Sequence, residues 1–360
     1  MAAPALNDPQ GITTVAGKNE FFEGTPWEEI AKPIPKGATV DEILEIAGLD
    51  WGLLHLPIYA QHVIGQIETP DGETEDEYEY IKMPKTYSLL RDTDHKVLSN
   101  YMGNRYKPID NRRAFEVFEQ FTRAGNMTIE TAGTIHDGNH VWGLASIGEG
   151  FRLSGGEQIK GYFLLIQSHE YGHSLKALFT PIRFPGGHTM VRNINIRGLR
   201  GAYTMPHSRE FNEQRISEIS ELLDVAHADL EVFRGNAEFL SAASMTEEEG
   251  VFYLCQVHDK KLITRCKNLR VPLPKTLDEL QANEGANRPI RKVADIVRSY
   301  PGSDFPSCHN TAWGWYNAVV HGIDHVIGHS VNTRLDASWL GKRAGEKNKA
   351  FELALQHAAK

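Results

Sequence analysis

Two histidines and a glutamate stand at the spacing of a zinc peptidase motif in the stretch His169-Glu170-Tyr171-Gly172-His173. On a helix, the two histidines of such an H-E-x-x-H sequence share one face and bind zinc, and the glutamate acts as a general base. Here the motif follows the strand-like run Tyr162–Ser168, contains a glycine, and lacks the Gly-x-x-His continuation of the extended zinc motif. We therefore expect a hairpin turn without bound zinc, and a zinc-dependent hydrolase is the alternative.

Other histidines and cysteines form weaker metal-binding patterns. His321, His325 and His329 recur every four residues, but the outer two would lie ~12 Å apart along a helix that rises ~1.5 Å per residue. A second set has no spacing that matches a zinc knuckle: Cys255, His258, Cys266, Cys308 and His309. Because the chain also lacks P-loop, dinucleotide-binding and nucleophile-elbow motifs, we expect no cofactor and no catalytic residue.

Positive charge is concentrated in two stretches of the chain. Residues 171–209 contain six Lys and Arg and no carboxylate, and a second basic cluster occupies residues 105–113. Guanidinium groups hold phosphates through paired hydrogen bonds, and aromatic rings stack on unpaired bases. The candidate DNA-binding residues are Arg105, Lys107, Arg112, Arg113, Lys176, Arg183, Arg192, Arg197 and Arg200. They would form one positive groove if the sheet brings residues 105–113 close to 183–200; alternatively, they pair with acidic residues of the same chain or of another subunit.

The composition limits the classes of protein that this chain can belong to. Its 360 residues carry a net charge of -9, and residues 1–100 contain 18 acidic against 7 basic side chains. The apolar runs are too short for a membrane helix, the N-terminus shows no secretory signal, and three cysteines do not make a disulfide framework. We therefore expect a cytoplasmic protein without a membrane partner.

The pattern of apolar residues and turn formers predicts an α+β fold with an antiparallel sheet. Residues 1–38 are expected to be an irregular arm, 39–207 an α+β domain, and 208–360 a helical region. Strands over 51–101 and 127–184 are expected to form the sheet, joined by hairpins such as that at His136-Asp137-Gly138-Asn139. The acid-rich residues 68–79 are expected to form an exposed loop.

Helices are predicted where apolar residues recur at helical spacing. A capping box formed by Thr39 and Glu42 begins a short helix that ends at Gly48. Phe115, Phe118 and Phe121 predict the buried face of a second helix. Further helices are predicted over 208–234, 246–257, 289–299, 310–328 and 338–358.

Six stretches of the sequence resemble those of one family. They are Ala47-Gly48-Leu49-Asp50-Trp51, 103–111 with Ala114-Phe115, Thr131-Ala132-Gly133, 162–169, 179–183 and Thr311-Ala312-Trp313-Gly314. In this order they resemble the phage/plasmid-like proteins built on domain of unknown function 932, over residues 40–330. The resemblance implies a phage or plasmid gene near replication and recombination genes, in a bacterial host cell. The sequence departs from the family pattern at 168–174 and after Arg183.

The predicted function combines the basic stretches with this resemblance. The succession of short strands, a helix and a long hairpin is similar in outline to that of single-strand-annealing proteins. We therefore expect a protein that binds single-stranded DNA for annealing or recombination, as a homo-oligomer larger than a dimer. Acidic residues of one subunit that meet the basic stretch of the next would build a ring or filament. The alternatives are the zinc-dependent hydrolase and a non-enzymatic protein-interaction factor.

Overall fold

The structure is a computed structural model that describes residues 24–123, 127–153, 156–184, 188–189, 195–196, 199–200 and 203–360. Side chains are described for these residues except 120–123, 149, 188–189, 195–196, 199–200 and 220–227. Antiparallel sheets fill the N-terminal half and helices follow toward the C-terminus, which confirms the predicted α+β class.

The strands belong to three antiparallel sheets. In chain order they are β1 (Ala31–Pro33), β2 (Leu53–Glu68), β3 (Thr74–Arg91), β4 (Val97–Gly103), β5 (Met127–Ile135), β6 (His140–Arg152), β7 (Gln158–Ser168), β8 (Ser174–Phe184), β9 (His188–Thr189), β10 (Asn195–Ile196), β11 (Leu199–Arg200) and β12 (Tyr203–Pro206). The largest sheet has the order β1-β5-β6-β7-β8-β12, with β9 also paired to β8. Strands β2, β3 and β4 form a second sheet, and β10 pairs with β11.

Helices are present in each range where the apolar spacing predicts one, and three short helices, over 260–269, 277–282 and 331–335, were not predicted. In chain order the helices are α1 (Val40–Ala47), α2 (Asn111–Arg123), α3 (Glu213–Ala242), α4 (Glu247–His258), α5 (Lys260–Leu269), α6 (Leu277–Ala282), α7 (Arg288–Ile296), α8 (Ala312–His321), α9 (Val331–Leu335) and α10 (Lys342–Ala358), with π-helical segments at Gly322–Val326 and Asp336–Leu340. The capping box at Thr39 and Glu42 is present, and Gly48 ends α1 with a φ of 65°. In the described part of the chain, no helix has the length and apolar character needed to cross a membrane.

Two hairpin turns meet at one end of the large sheet. The turn His136-Asp137-Gly138-Asn139 joins β5 to β6, as predicted, and residues 169–173 join β7 to β8. Because β6 and β7 are antiparallel and pair His140 with Ser168, the two turns are neighbours. The amide of His169 donates a hydrogen bond to the carbonyl of Asn139 over 2.8 Å, which joins the turns directly.

The acidic segment expected to be a loop is mostly strand. Strands β2 and β3 pair from Leu53–Arg91 at the base to Glu68–Thr74 at the tip, so only residues 69–73 lie between them. We call the exposed part of this hairpin, residues 59–82, the ribbon. It belongs to its own sheet and does not extend the large sheet as expected, because β4 pairs only with β3 among the described strands and is followed by α2.

The predicted irregular arm also needs correction where the structure describes it. Strand β1 pairs with β5, with Ala31 opposite Gly133. A Cβ atom on Gly133 would lie 2.5 Å from the carbonyl oxygen of Ile30, so this pairing requires a glycine. Trp27 is buried against Trp142 and Trp339, with ring centroids 6.3 and 5.9 Å away. Residues 24–38 are therefore part of the fold.

One hydrophobic core crosses the boundary predicted at residue 207. A continuous cluster of buried side chains includes Phe115 of α2, Phe163 of β7, Phe233 of α3 and Trp313 of α8. Phe118 is buried with Phe115, as expected, while the side chain of Phe121 lies outside the described residues. The sheet and the helices therefore hold the turns at a fixed end of a packed body.

Candidate functional site

A cleft of about 600 Å³ opens where the base of the ribbon meets the turn between β7 and β8. The side chains that give it chemical character are Lys85, Tyr101, Arg105, Tyr171, His173 and His207. Tyr101 and Tyr171 are 47% and 60% exposed, and their rings meet edge to face with centroids 5.0 Å apart. The cleft thus combines exposed aromatic faces with two cationic side chains.

A bulge in the second sheet brings Lys85 to the cleft. Strand β2 pairs Pro57 with Tyr87 and Tyr59 with Lys82, so residues 83–86 oppose a single residue of β2. Lys85 has a φ of 58°, a left-handed conformation that is uncommon for a residue with a side chain. Bulges redirect side chains, and strained backbone is concentrated at functional sites. The local geometry therefore marks Lys85 as a candidate binding residue.

The two basic stretches meet at this cleft through their ends. The amide of Lys107 donates to the carbonyl of His207 over 2.6 Å, and the rings of Tyr106 and His207 lie 4.9 Å apart. Burial lowers the pKa of His207 to about 4, so its ring is neutral at pH 7. Residues 105–107 therefore adjoin residue 207, the C-terminal part of the basic stretch 171–209.

The predicted basic residues of the first cluster differ in their surroundings. Arg105 is exposed and lines the cleft. Lys107 is exposed, with its Nζ 3.6 Å from a carboxylate oxygen of Glu210. The other two form ion pairs beyond the cleft: Arg112 with Asp41, and Arg113 with Glu116 and Glu213. The ion pair between Arg112 and Asp41 matches the alternative to phosphate binding, in which a basic side chain pairs with the acidic N-terminal part of the chain.

The second basic stretch is only partly described. Lys176 lies in β8 and is half-buried, and burial lowers its pKa. Arg192 and Arg197 lie outside the described residues, and for Arg200 only the backbone, in β11, is described.

Arg183 is not available for phosphate binding, because the fold buries it completely. Its Nε lies 2.7 Å from a carboxylate oxygen of Glu157, and both side chains are 0% exposed. Its two terminal nitrogens donate to the carbonyls of Pro301 and Gly302 over 2.9 and 3.1 Å. Arg183 also stands near the end of β8 opposite to the cleft. We therefore remove it from the set of candidate DNA-binding residues.

The H-E-x-x-H stretch lies in the turn between β7 and β8, as its sequence context predicts. His169 points into the core: it is 0% exposed, its Nε2 lies 2.9 Å from the Asn111 side-chain oxygen, and its ring contacts Trp51. Burial lowers the pKa of His169 to about 3. The helical arrangement that would place His169 and His173 on one zinc ion is therefore absent from this turn.

The remaining part of the motif meets a histidine that the sequence did not single out. Ligand atoms of His140, Glu170 and His173 all lie within 4.8 Å of one another, and in the described part of the chain this is the one such group of three. The Nε2 atom of His140 is 3.3 Å from a Glu170 oxygen, and the imidazole rings of His140 and His173 are 5.0 Å apart. Burial, followed by the charge of His173, lowers the pKa of His140 to about 4.

The turn between β3 and β4 fixes the turn that leads to His140. The carboxylate of Asp137 accepts from Lys96 over 2.7 Å and from Arg91 over 3.1 Å. These contacts lower the pKa of Asp137, and the hydrogen bond with Lys96 has the largest effect. Sequence alone could not find His140 because its partners depend on strand register, although its position directly after a strong turn signal is visible.

Sequence analysis also missed a basic surface on the helical side. Helix α5 and the residue after it expose five cations and no carboxylate: Lys260, Lys261, Arg265, Lys267 and Arg270. Leu269 beside them is 65% exposed. This surface lies outside both stretches that the charge pattern emphasised.

The fold and the cleft define an α+β protein in which the turn between β7 and β8 borders a basic, aromatic surface. A family model described as Domain of unknown function (DUF932) matches residues 99–350, more than two thirds of the chain. The chain belongs to this family. Comparison with curated proteins found no match. Comparison with solved structures also found none.

Proposed function

We propose that this chain binds single-stranded DNA in the cleft between the ribbon base and the turn that joins β7 to β8. The proposal includes a role in annealing or recombination for a phage or plasmid, in the cytoplasm of a bacterial host. That biological setting rests on the sequence resemblance. The binding site rests on one observation: the exposed rings of Tyr101 and Tyr171 share a cleft with Lys85 and Arg105.

The chemistry of this cleft fits an unpaired strand better than a duplex. Base stacking on an aromatic side chain contributes ~1–3 kcal/mol per base and requires bases that are not stacked on a paired neighbour. Lys85 and Arg105 can neutralise the phosphates on either side of such a base. The neutral His207 ring adds a polar lining but no positive charge.

The binding test is a titration of a fluorescent ~30-nucleotide single strand at several salt concentrations. For single strands, the slope of log affinity against log salt is ~-0.7 per neutralised phosphate. The double variant Lys85→Ala/Arg105→Ala should therefore bind more weakly and flatten the slope by ~1.4. Tyr171→Ala should weaken binding by ~1–3 kcal/mol, which is about 5- to 150-fold, with the slope unchanged.

A matched control removes the same charge elsewhere. Lys32 and Lys36 are exposed and distant in sequence from the cleft residues. Lys32→Ala/Lys36→Ala should leave both the affinity and the slope near those of the parent. Equal losses in the two double variants would show nonspecific charge attraction, and parental binding by a folded Lys85→Ala/Arg105→Ala variant would exclude the cleft.

We also propose that the ribbon carries the contact between subunits. Strand register places Tyr59, Val63, Tyr78 and Tyr80 on one face, and each is at least 43% exposed. The opposite face presents acids at alternating positions of β3, namely Glu75, Glu77 and Glu79. The occupant that fits both faces is a second copy, whose acid-free α5 surface supplies cations beside the exposed Leu269. Ribbon and α5 are different surfaces, so the contact is heterologous and leads to a ring or filament.

A further inference from the structure

We infer that His140, Glu170 and His173 bind a divalent first-row transition-metal ion, with Zn²⁺ as the probe. This site does not depend on the proposed DNA binding. It differs from the H-E-x-x-H arrangement because His140, from the neighbouring hairpin, takes the place of the buried His169. The spacing of the donors, the hydrogen bond that orients His140 and the surroundings of Glu170 each support it.

The donor atoms already lie close to the spacing that a metal ion imposes. Zinc holds histidine nitrogen and carboxylate oxygen at ~2.0–2.2 Å, so neighbouring ligand atoms of a tetrahedral site lie ~3.3–3.6 Å apart. The 3.3 Å between His140 Nε2 and the Glu170 oxygen matches this spacing. The His173 ligand atom lies within 4.8 Å of the other two. A small side-chain rotation of His173, which is only partly buried, would complete a three-ligand set.

The buried His140 is held as a metal ligand requires. A metal-binding histidine must be neutral, and its second ring nitrogen usually hydrogen-bonds to a neighbour that fixes the ring. His140 Nδ1 lies 2.8 Å from Ser168 Oγ, its partner in the strand register. This contact directs Nε2 toward Glu170.

The carboxylate of Glu170 has no other cationic partner nearby. In the described structure its one ion-pair contact is with the His140 ring, and no lysine or arginine pairs with it. A bound cation would balance this carboxylate. Two imidazoles and one carboxylate favour transition metals such as Zn²⁺ over Mg²⁺ or Ca²⁺, which prefer oxygen ligands.

Three protein ligands leave one zinc position open, as in catalytic zinc sites. His173 also lines the cleft described above, so the proposed metal site adjoins that cleft. A water molecule or a phosphate oxygen are the ligands that this position would accept.

The test is metal analysis and Co²⁺ or Zn²⁺ titration of the purified full-length chain, followed by visible absorption of Co²⁺ and by calorimetry. We expect one ion per chain, displaced by Zn²⁺ when Co²⁺ is bound. His140→Ala and Glu170→Gln should each weaken binding at least tenfold. Ser168→Ala should weaken it by ~10- to 100-fold, because it removes the neighbour that orients His140.

Two further variants distinguish this site from metal binding elsewhere on the chain. His62 is an exposed histidine of the ribbon, and His62→Ala should bind the ion as the parent does. Glu170 is 44% exposed, so Glu170→Gln will fold even if His140→Ala does not. Substoichiometric metal in the parent, or parental affinity in a folded Glu170→Gln variant, would overturn the inference. Loss of the ion in His62→Ala would show that the ion binds at another site, and this too would overturn the inference.

Discussion

Replacing Arg183 with alanine removes the positive partner of a carboxylate that the fold buries completely. The carboxylate of Glu157 accepts from Arg183 Nε and Trp313 Nε1, both over 2.7 Å, and from the hydroxyl of Ser307. These residues come from β8, α8, and the segments that precede β7 and α8. The cluster therefore ties the large sheet to the helical region through one buried ion pair.

The expected loss of stability follows from what the substitution leaves behind. Arg183→Ala would leave Glu157 charged, 0% exposed and held by three neutral donors, those of Trp313, Ser307 and Cys308. It would also remove the donors to two backbone carbonyls. Breaking a buried ion pair by deleting one partner costs ~3–5 kcal/mol. Native domains have only ~5–15 kcal/mol in total. We therefore expect Arg183→Ala to lower the free energy of unfolding by ~3 kcal/mol or more.

Urea unfolding monitored by tryptophan fluorescence measures this loss, with a double variant as the control. Arg183→Met/Glu157→Leu leaves no buried charge, so it should recover much of the stability, as buried pairs replaced by apolar side chains often do. If the free energy of unfolding of Arg183→Ala lies within ~1 kcal/mol of that of the parent, the buried charge of Glu157 is not left unpaired at the expected cost, and the prediction is wrong. A stable Arg183→Ala variant with weakened binding of single-stranded DNA would return Arg183 to the binding site.

Two further predictions concern pH and assembly. Burial lowers the pKa values of His258 and His321 to about 3. Below pH ~6.5 the unfolded rings take up protons that the folded rings do not bind. The free energy of unfolding therefore falls as the pH is lowered. The loss at pH 5.5 is ~1.4 kcal/mol for each histidine, and His258→Gln should reduce the fall measured by urea unfolding at pH 7.5 and 5.5. Light scattering should report an oligomer larger than a dimer at low salt. The variant Lys261→Glu/Arg265→Glu should disrupt this oligomer, and adding subunits with Glu77→Lys/Glu79→Lys should restore it. A monomer at micromolar concentration would refute the assembly proposal.

The parts of the fold that sequence predicted well are those with local causes. The capping box at Thr39, the turn at His136–Asn139 and the contact between the Phe115 and Phe118 rings depend on residues a few positions apart. The strand content of the ribbon was harder to predict, because acidic side chains usually mark loops. Here the backbone pairing of β2 with β3 outweighs that preference, since the charged side chains remain in water.

The site was predicted less completely because its members meet only after folding. From the sequence, Arg183 is expected to be an exposed cation in a basic stretch. Its partners are Glu157, 26 residues earlier in the chain, and Pro301, more than a hundred residues later. His140 reads as the residue after a turn, and only the pairing with Ser168 brings it to Glu170. No local pattern contains either relation.

The two ends of the hairpin formed by β7 and β8 explain why the candidate site lies where it does. At one end, the guanidinium of Arg183 donates hydrogen bonds to a carboxylate and to two carbonyls inside the core. At the other end, the turn leaves Glu170, Tyr171 and His173 at the surface. Buried charges must be satisfied within the protein, whereas a ligand can be recognised only by groups that are still accessible. The same two strands therefore stabilise the fold at one end and present binding groups at the other.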